Sequence, residues 1–401
     1  MFLGSPSSAA ASVGTMRIAF DGTTLRPGRT GVGYYSEHLL HHLAQNEDEV
    51  VVISNRAVET TRPLPAQVRI AASSWRVPSM LWMQVCAPRM LHRLAPDVVH
   101  FTNGMMPVAS PVPTVVTIHD MSLAMFPRYH PPRRVLLNRP LVDLASSRAD
   151  AIITVSQSAK LDIVRLFALS PERVHVIHEA PAPAFRPINE TARLARVRQR
   201  YGLAERFVLY VGTIEPRKNL RSLIDAYSRR RDSGDLPHQL VCVGPYGWLS
   251  GDIGGRIERL SRQGAIRFTG YVPFEDLPVL YSLAELFVFP SFYEGFGLPV
   301  VEAMACGTPV ITGRVPALAE VGGGAVAHVE SLDDQSLGDA IVSLSRDRER
   351  REELRKLGLE RARAFSWEQA ARETAKVYRG AVESRARSTA PVSAAYQSEA
   401  R

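Results

Sequence analysis

Cysteine is scarce in this 401-residue chain: Cys86, Cys242 and Cys306, an odd number set far apart. That spacing offers neither a disulfide framework nor a zinc set. It suits buried free thiols in a reducing compartment, so a cytoplasmic location is expected. No Asp-x-Asp triplet and no His/Cys ligand cluster occurs, and no metal site is expected. No apolar run approaches the ~20 residues of a membrane helix. Residues 1–15, MFLGSPSSAAASVGT, have no basic segment before an apolar core. They read as a disordered leader and not as a signal peptide, and the Ser/Ala-rich end, 383–401, reads as a disordered tail. Acids are outnumbered, 40 against 48 Lys and Arg, for a net charge of +8. The excess favours anionic partners: nucleotide phosphates, an acidic membrane surface or nucleic acid. The arginines are dispersed, with no basic stripe interleaved with aromatics, so no nucleic-acid partner is expected. Neither repeats nor low-complexity blocks occur. With 45% hydrophobic and 22% charged residues, the composition is that of a globular chain of two ordinary domains.

What is present is organised around residues 287–310, FVFPSFYEGFGLPVVEAMACGTPV. Leu286 to Phe289 is an apolar run ended by Pro290, which reads as a buried strand. A loop follows with Glu294, Gly295, Phe296 and Gly297. Leu298 and Pro299 then open a helix, where the missing proline N–H costs nothing. Gly307 stops that helix, and Pro309 to Thr312 starts another strand. A strand end, a glycine loop and a helix N-terminus thus meet at one point. In an open α/β sheet that is where ligands bind, and the free N–H groups suit hydroxyls or an anion. Glu294 and Glu302 can face one cleft from different depths. The bland alternative is a solvated loop Glu and a first-turn helix Glu. The glycines weigh against it, because they let a ligand approach the backbone closely. A hydrolase carboxylate pair is disfavoured, since neither acid has an obvious apolar pocket to raise its pKa.

The chain before this stretch repeats the same device. Met16 to Phe20 is a short strand. Gly28, Gly31 and Gly33 form a loop beside Tyr34, and Tyr35, Leu39, Leu40 and Leu43 take helical spacing. This is neither a G-x-G-x-x-G, since Ser36 stands at the third glycine, nor a P-loop. Strands are expected at 50–53, 68–70, 97–101, 114–118, 151–155 and 174–177. Residues 75–95 read as a core helix interrupted by Pro88, with a membrane-surface segment as the alternative. Residues 133–149 read as a basic amphipathic helix. The strand at 114–118 is wholly apolar and ends in His119-Asp120, which places His119 at a carboxyl end, with Asp120 able to fix its ring. Ser156 reads as a helix cap. The Pro/Ala-rich segment HEAPAPAFRPINE separates an N-terminal domain, 16–182, from a C-terminal one, 190–365.

The second domain restarts with Phe207 to Val211, followed by Gly212, Thr213 and the adjacent cations Arg217 and Lys218. After a strand's carboxyl end, such a pair reads as a phosphate clamp. Further strands are expected at 239–243, 266–269, 309–312 and 325–329. A charged helix is expected over 337–364 and a last helix over 366–382.

Glu294-x7-Glu302 within PSFYEGFGLPVVEAMACGTPV closely resembles the signature of family 4 retaining, nucleotide-sugar-dependent glycosyltransferases, and GTIEPRKNL resembles their diphosphate loop. The resemblance covers most of residues 16–380. It implies the α/β GT-B fold: two Rossmann-like, doubly wound domains facing across a cleft, with the C-terminal helix crossing back to the first. The text VVTIHDMSLAMFPRYH is similar to that of members that transfer mannose. The resemblance implies a hexose, mannose by expectation, moved from GDP-mannose to a glycan or lipid-linked saccharide in polysaccharide biosynthesis. It places Tyr271 and Val272 by the nucleobase, His119 beside the sugar, and Gly31 and Gly33 towards the pyrophosphate. Tyr34 and Asp120 fall on the acceptor side.

The chemistry follows from charge. Sugar transfer builds negative charge on the leaving diphosphate, which Arg217 and Lys218 meet, so that no cofactor or metal is required. The N–H groups of Gly295, Phe296 and Gly297 hold hydroxyls or phosphate. Glu294 accepts from sugar hydroxyls, and Glu302 from both ribose hydroxyls. No residue reads as a protein nucleophile, so retention without a covalent intermediate is expected. The alternatives are a sugar-nucleotide epimerase of the same architecture and a transferase using a UDP-sugar. The net charge leaves a peripheral place at the inner face of an anionic membrane open.

Overall fold

The computed structural model describes residues 15–26, 31–45, 48–72, 78–248 and 251–389. Seven strands form the first sheet: β1 (Arg17–Asp21), β2 (Glu49–Ser54), β3 (Arg69–Ala72), β4 (Val98–Phe101), β5 (Thr114–Ile118), β6 (Ala151–Thr154) and β7 (Val174–Val176). Six form the second: β8 (Phe207–Val211), β9 (Gln239–Val243), β10 (Ile266–Gly270), β11 (Leu286–Phe289), β12 (Val310–Gly313) and β13 (Ala327–Val329). Their spatial orders are 3-2-1-4-5-6-7 and 10-9-8-11-12-13, and every pairing is parallel. In each sheet the order reverses beside the first strand, so Ile18 pairs with both Val50 and Val98. Connections diverge there and leave a crevice at the carboxyl ends. The central strands are apolar on both faces because helices cover both. VVHF, TVVTI and LFVF are buried throughout.

The last helix, Trp367–Thr389, ties the domains together. Trp367 packs edge-on to Tyr35 and stacks on His38, and Tyr378 OH lies 2.7 Å from His100 Nδ1 under the first sheet. One apolar cluster therefore runs from Phe20 and Leu39 through Phe185 and Trp367 to Phe287 and Phe296.

Several elements depart from the sequence reading. Gly31 and Gly33 lie in the first turns of the helix Gly31–Leu43 and not in a loop; Gly28 lies outside the described residues, as do 1–14 and 390–401. The expected tail is helical as far as Thr389, because Arg385 reaches Asp150 at 3.1 Å and the Ser110 carbonyl at 3.2 Å. Residues 337–364 form two helices, Asp334–Arg346 and Arg348–Ala362. The break falls at Asp347, whose side chain accepts from Arg350 N and caps the second. Pro88 does not interrupt its segment: a π-helical turn, Trp82–Cys86, precedes it, and the proline sits in the first turn of Ala87–Leu94. In the basic helix Pro132–Arg148 only Ala145 and Ser146 are buried, and Leu136 and Leu137 are 75% and 65% exposed. The apolar face read there points outward.

Candidate functional site

The turn after β8 carries Gly212 and Thr213, then a short 3-10 turn, Pro216–Lys218, ending at Asn219 in the left-handed region (φ 53°). The loop after β9 packs onto it. A Cβ at Gly244 (φ +135°) would stand 2.1 Å from the Gly212 carbonyl, and one at Gly247 2.7 Å from the Thr213 side chain. Only glycine fits there, and that contact fixes the path of the turn.

Arg217 is buried, with one guanidinium nitrogen on the Tyr293 carbonyl at 2.6 Å and another on Glu215 at 2.7 Å. The first also lies 3.0 Å from Glu294 Oε2. Lys218 Nζ is 2.6 Å from Glu294 Oε1 and 4.9 Å from the centre of the Phe289 ring. Burial drives the lysine below its ordinary value, although Glu294 opposes this. Burial alone would raise the Glu294 carboxyl; Arg217 and then Lys218 bring it below the usual range. The arginine stays firmly charged, because Glu294, Asp120 and Glu215 outweigh its loss of water. The two cations expected to be free for a ligand are thus held by acids. Glu294, expected to accept from hydroxyls, has both oxygens on cations.

Glu302, on the helix Leu298–Ala305, faces away from that cluster. Its Oε2 accepts from Tyr281 OH at 3.1 Å. Loss of water in this apolar wall pushes the carboxyl up to about 8, with Glu179 adding to the rise. This corrects the expectation that neither acid has such a pocket, and two unlike acids result: Glu294 ionised among cations, Glu302 holding its proton at neutral pH.

Gly295 also has another role than close approach to a ligand. A Cβ there would stand 1.8 Å from the His119 carbonyl of the opposite domain, and its own carbonyl accepts from Ser156 Oγ at 2.6 Å. The glycine lets the two backbones meet. Gly297 (φ +108°) starts the helix, where a side chain would strike Leu318 at 2.4 Å. Phe296 is buried against Phe365, and Leu298 packs at the edge of the same core.

From the first domain, His119 Nδ1 lies 3.1 Å from Glu179 and Nε2 3.0 Å from the Thr102 carbonyl. Both partners are acceptors, and between them they fix the orientation of the ring. Asp120 does not orient the ring: it accepts from Ser122 N at 2.8 Å. Tyr34, expected on the acceptor side, stacks on Phe274 of the second domain at 5.1 Å. That is beside the turn with exposed Tyr271 and buried Val272.

Further side chains close the cleft. Glu320 accepts from Gln157 N at 2.9 Å and Ser158 N at 3.1 Å. It caps the helix Gln157–Phe167 of the other domain, with His178 Nε2 at 2.9 Å. Tyr293 OH accepts from Met121 N and donates to Asp162. Sequence reading missed Glu179, Glu215, Tyr281, Tyr293 and Glu320. Three of them lie inside stretches already singled out: Glu215 in GTIEPRKNL, Tyr293 in PSFYEGFGLPVVEAMACGTPV and Glu179 in HEAPAPAFRPINE. Ser156 was read as a cap and does accept from Ala159 N at 3.0 Å, and its second contact, to Gly295, is new. Among the described residues no His, Cys, Asp or Glu cluster could hold a metal ion, and no helix is long and apolar enough to cross a membrane.

Two parallel doubly wound sheets facing across a closed cleft, with the last helix returned to the first, define the GT-B class of glycosyltransferases. Residues 195–361 match the model of glycosyl transferases group 1 and residues 29–180 that of Glycosyltransferase Family 4. Relatives include the O-antigen chain mannosyltransferase B of Escherichia coli, 38% identical over 66% of this chain and 70% of that one. Another is the serotype-specific mannosyltransferase WbdA of the same organism, 34% identical over 55% of this chain and 27% of that protein. The fold is shared with Anabaena Alr3699/HepE, solved with UDP and glucose (TM-score 0.70, 20% identity, 90% of this chain and 98% of that one). It is shared too with sucrose-phosphate synthase of Thermosynechococcus elongatus (TM-score 0.70, 22% identity, 91% and 98%). The chain belongs to glycosyltransferase family 4 and is a glycosyltransferase. These relatives do not favour the epimerase alternative.

Proposed function

We propose that this enzyme moves mannose from GDP-mannose to a hydroxyl of a glycan or lipid-linked saccharide, with retention and without a metal. The reading rests on one arrangement: Arg217 and Lys218 follow β8 and sit beside Glu294, while Glu302 lies at the far end of the same loop-and-helix unit. The diphosphate would take Lys218 from Glu294 and lie against Arg217, whose Nε is buried with no partner. That exchange sets Glu294 free to accept from the sugar. Tyr281 and Glu302 would take the ribose diol, and the turn at Tyr271 and Val272 the base. The Gly212–Thr213 turn and the N–H groups from Gly295 to Leu298 would line the phosphate and sugar. Gly31 and Gly33, at the start of the first-domain helix, would face them, with Tyr34 and Asp120 towards the acceptor.

In the step itself the bond from sugar C1 to the β-phosphate oxygen breaks. The acceptor oxygen bonds C1 on the same face, and its proton passes to the departing phosphate oxygen. Arg217 and Lys218 stabilise that oxygen, and His119 lies by the sugar. Fixed cations aimed at developing charge supply on the order of 3 kcal/mol each, so the charge is met without a metal. Mannose is chosen because both relatives above are named mannosyltransferases. The outward leucines of the basic helix Pro132–Arg148 support a peripheral place on an anionic membrane surface.

The test is calorimetric titration with GDP-, UDP- and ADP-sugars, followed by product analysis with a mannoside acceptor. Tightest binding of GDP-mannose and an α-linked product from its α-linked donor are expected. A preference for another nucleotide sugar, or an inverted product, overturns the reading.

A further inference from the structure

A cavity of about 280 Å³ opens at the carboxyl ends of β1, β2 and β4, in the first domain. Its lining is one-sided in charge. Arg26, Arg56 and Arg134 border it, and no Asp or Glu does. The Arg56 side chain donates to Asn55 Oδ1 at 3.2 Å, and Arg134 lies over the ring of Trp248, 4.6 Å from its centre, across the cleft. Among the described residues no carboxylate pairs with any of the three. Other arginines of this protein do have an acid beside them, as with Arg206 and Glu285 or Arg346 and Asp235.

The other half of the lining is apolar and adaptable. Met80, Met83, Met105 and Met106 contribute thioether chains, which shape themselves to irregular apolar ligands. At the rim, Met80 and Leu81 are about half exposed. Leu137, more exposed still, shares a face with Arg134 and Leu141 of the same helix, three and four residues away.

We infer that this cavity receives the acceptor, and that the acceptor carries a phosphate ester next to an apolar chain. The inference rests on the glycosyltransfer reading and names the acceptor class for it. Three unpaired guanidiniums fit a group with two or more negative charges, whose planar faces of oxygens they can grip in pairs. The volume is at the low end of small-molecule sites, roughly 300–1,000 Å³. It holds a charged head and a few carbons, and the rest of the chain lies on the exposed rim.

The test needs no turnover. Octyl phosphate, octyl glucoside and inorganic phosphate are titrated calorimetrically into the full chain, below micellar concentrations, with GDP present. One-to-one binding of octyl phosphate is expected, at least tenfold tighter than either other probe. In the Arg56→Gln/Arg134→Gln variant that affinity falls about ten- to hundredfold, and Arg56→Lys falls between. Equal affinity for octyl phosphate and octyl glucoside, or an unchanged affinity in the double variant, overturns the inference. So does binding only to vesicles containing phosphatidic acid, which makes the face a membrane surface and not an acceptor pocket. If the chain binds no nucleoside diphosphate or transfers no sugar, the glycosyltransfer reading fails instead, whatever octyl phosphate does.

Discussion

Lys218 and Glu294 meet at 2.6 Å, the lysine from the turn after β8 and the acid from the turn after β11. Burial works against the charge on the lysine, and Glu294 is its main support. Replacing Glu294 with Gln removes that support and leaves the shape. The lysine then loses its proton at lower pH, since the opposing charge that held it is gone. We expect kcat/KM to fall about 10²- to 10³-fold and the alkaline limb of its pH profile to move to lower pH. A profile with an unmoved limb refutes the role of this pair.

Arg217→Ala is expected to do more than slow turnover. It strands Glu215 and the Tyr293 carbonyl in a buried place and leaves Glu294 with Lys218 alone. Breaking a buried pair costs about 3–5 kcal/mol. Chemical denaturation should show a loss on that scale, whereas Lys218→Ala, which leaves Glu294 with Arg217, should lose less. Equal stabilities would sink the argument.

Glu302 supplies a pH signature. With its carboxyl pushed up to about 8, it is protonated in the free enzyme at neutral pH. A ribose diol donating two hydrogen bonds favours the ionised form, so binding releases a proton. Affinity for the nucleotide sugar should therefore rise with pH up to about 8, by as much as tenfold per unit. Calorimetry at several pH values should show this slope in the native enzyme and a flat line in Glu302→Gln.

Much of the frame was legible in the chain, for physical reasons. TVVTI and FVLYV are apolar on both faces because helices cover both, and each is followed by the turn residues that build the site. The glycines, Pro299 and the Arg217–Lys218 pair declared the same points. What stayed hidden is contact across the cleft. Glu320 acts on Gln157 from 163 positions away, and Glu179 on His119 from 60. No local periodicity carries such a pairing. Gly295 was read for the right property and the wrong neighbour, because its close partner is the backbone at His119. The exposed Leu136 and Leu137 defeated a helical pattern that assumes leucines turn inward.

Gly295→Ala tests that neighbour. The added methyl would overlap the His119 carbonyl, so the two domains cannot close to the same contact. The fold of each domain is untouched. We expect turnover to fall at least tenfold, with melting temperature changed by only a few degrees. A fully active Gly295→Ala enzyme would show that closure at this point is not required.

Glu320 joins the two domains from outside the nucleotide cluster. Its carboxylate caps two N–H groups of the other domain's helix and takes His178 as well. Burial would raise its carboxyl, but His178 and the two N–H groups bring it below the ordinary range. An acid depressed in this way gives its support at pH values above the unfolded carboxylate range, and the support fades as pH falls through the depressed value. A helix cap contributes about 0.5–2 kcal/mol, enough to lower the closed-to-open ratio by up to about thirtyfold when removed. Glu320→Ala should therefore open the cleft at neutral pH, read as a larger radius of gyration by small-angle scattering and a higher KM for the donor. The native enzyme should open in the same way only in acid. Equal radii for the native and Glu320→Ala enzymes at neutral pH would show that the core around Trp367 and Phe296 holds the domains together by itself.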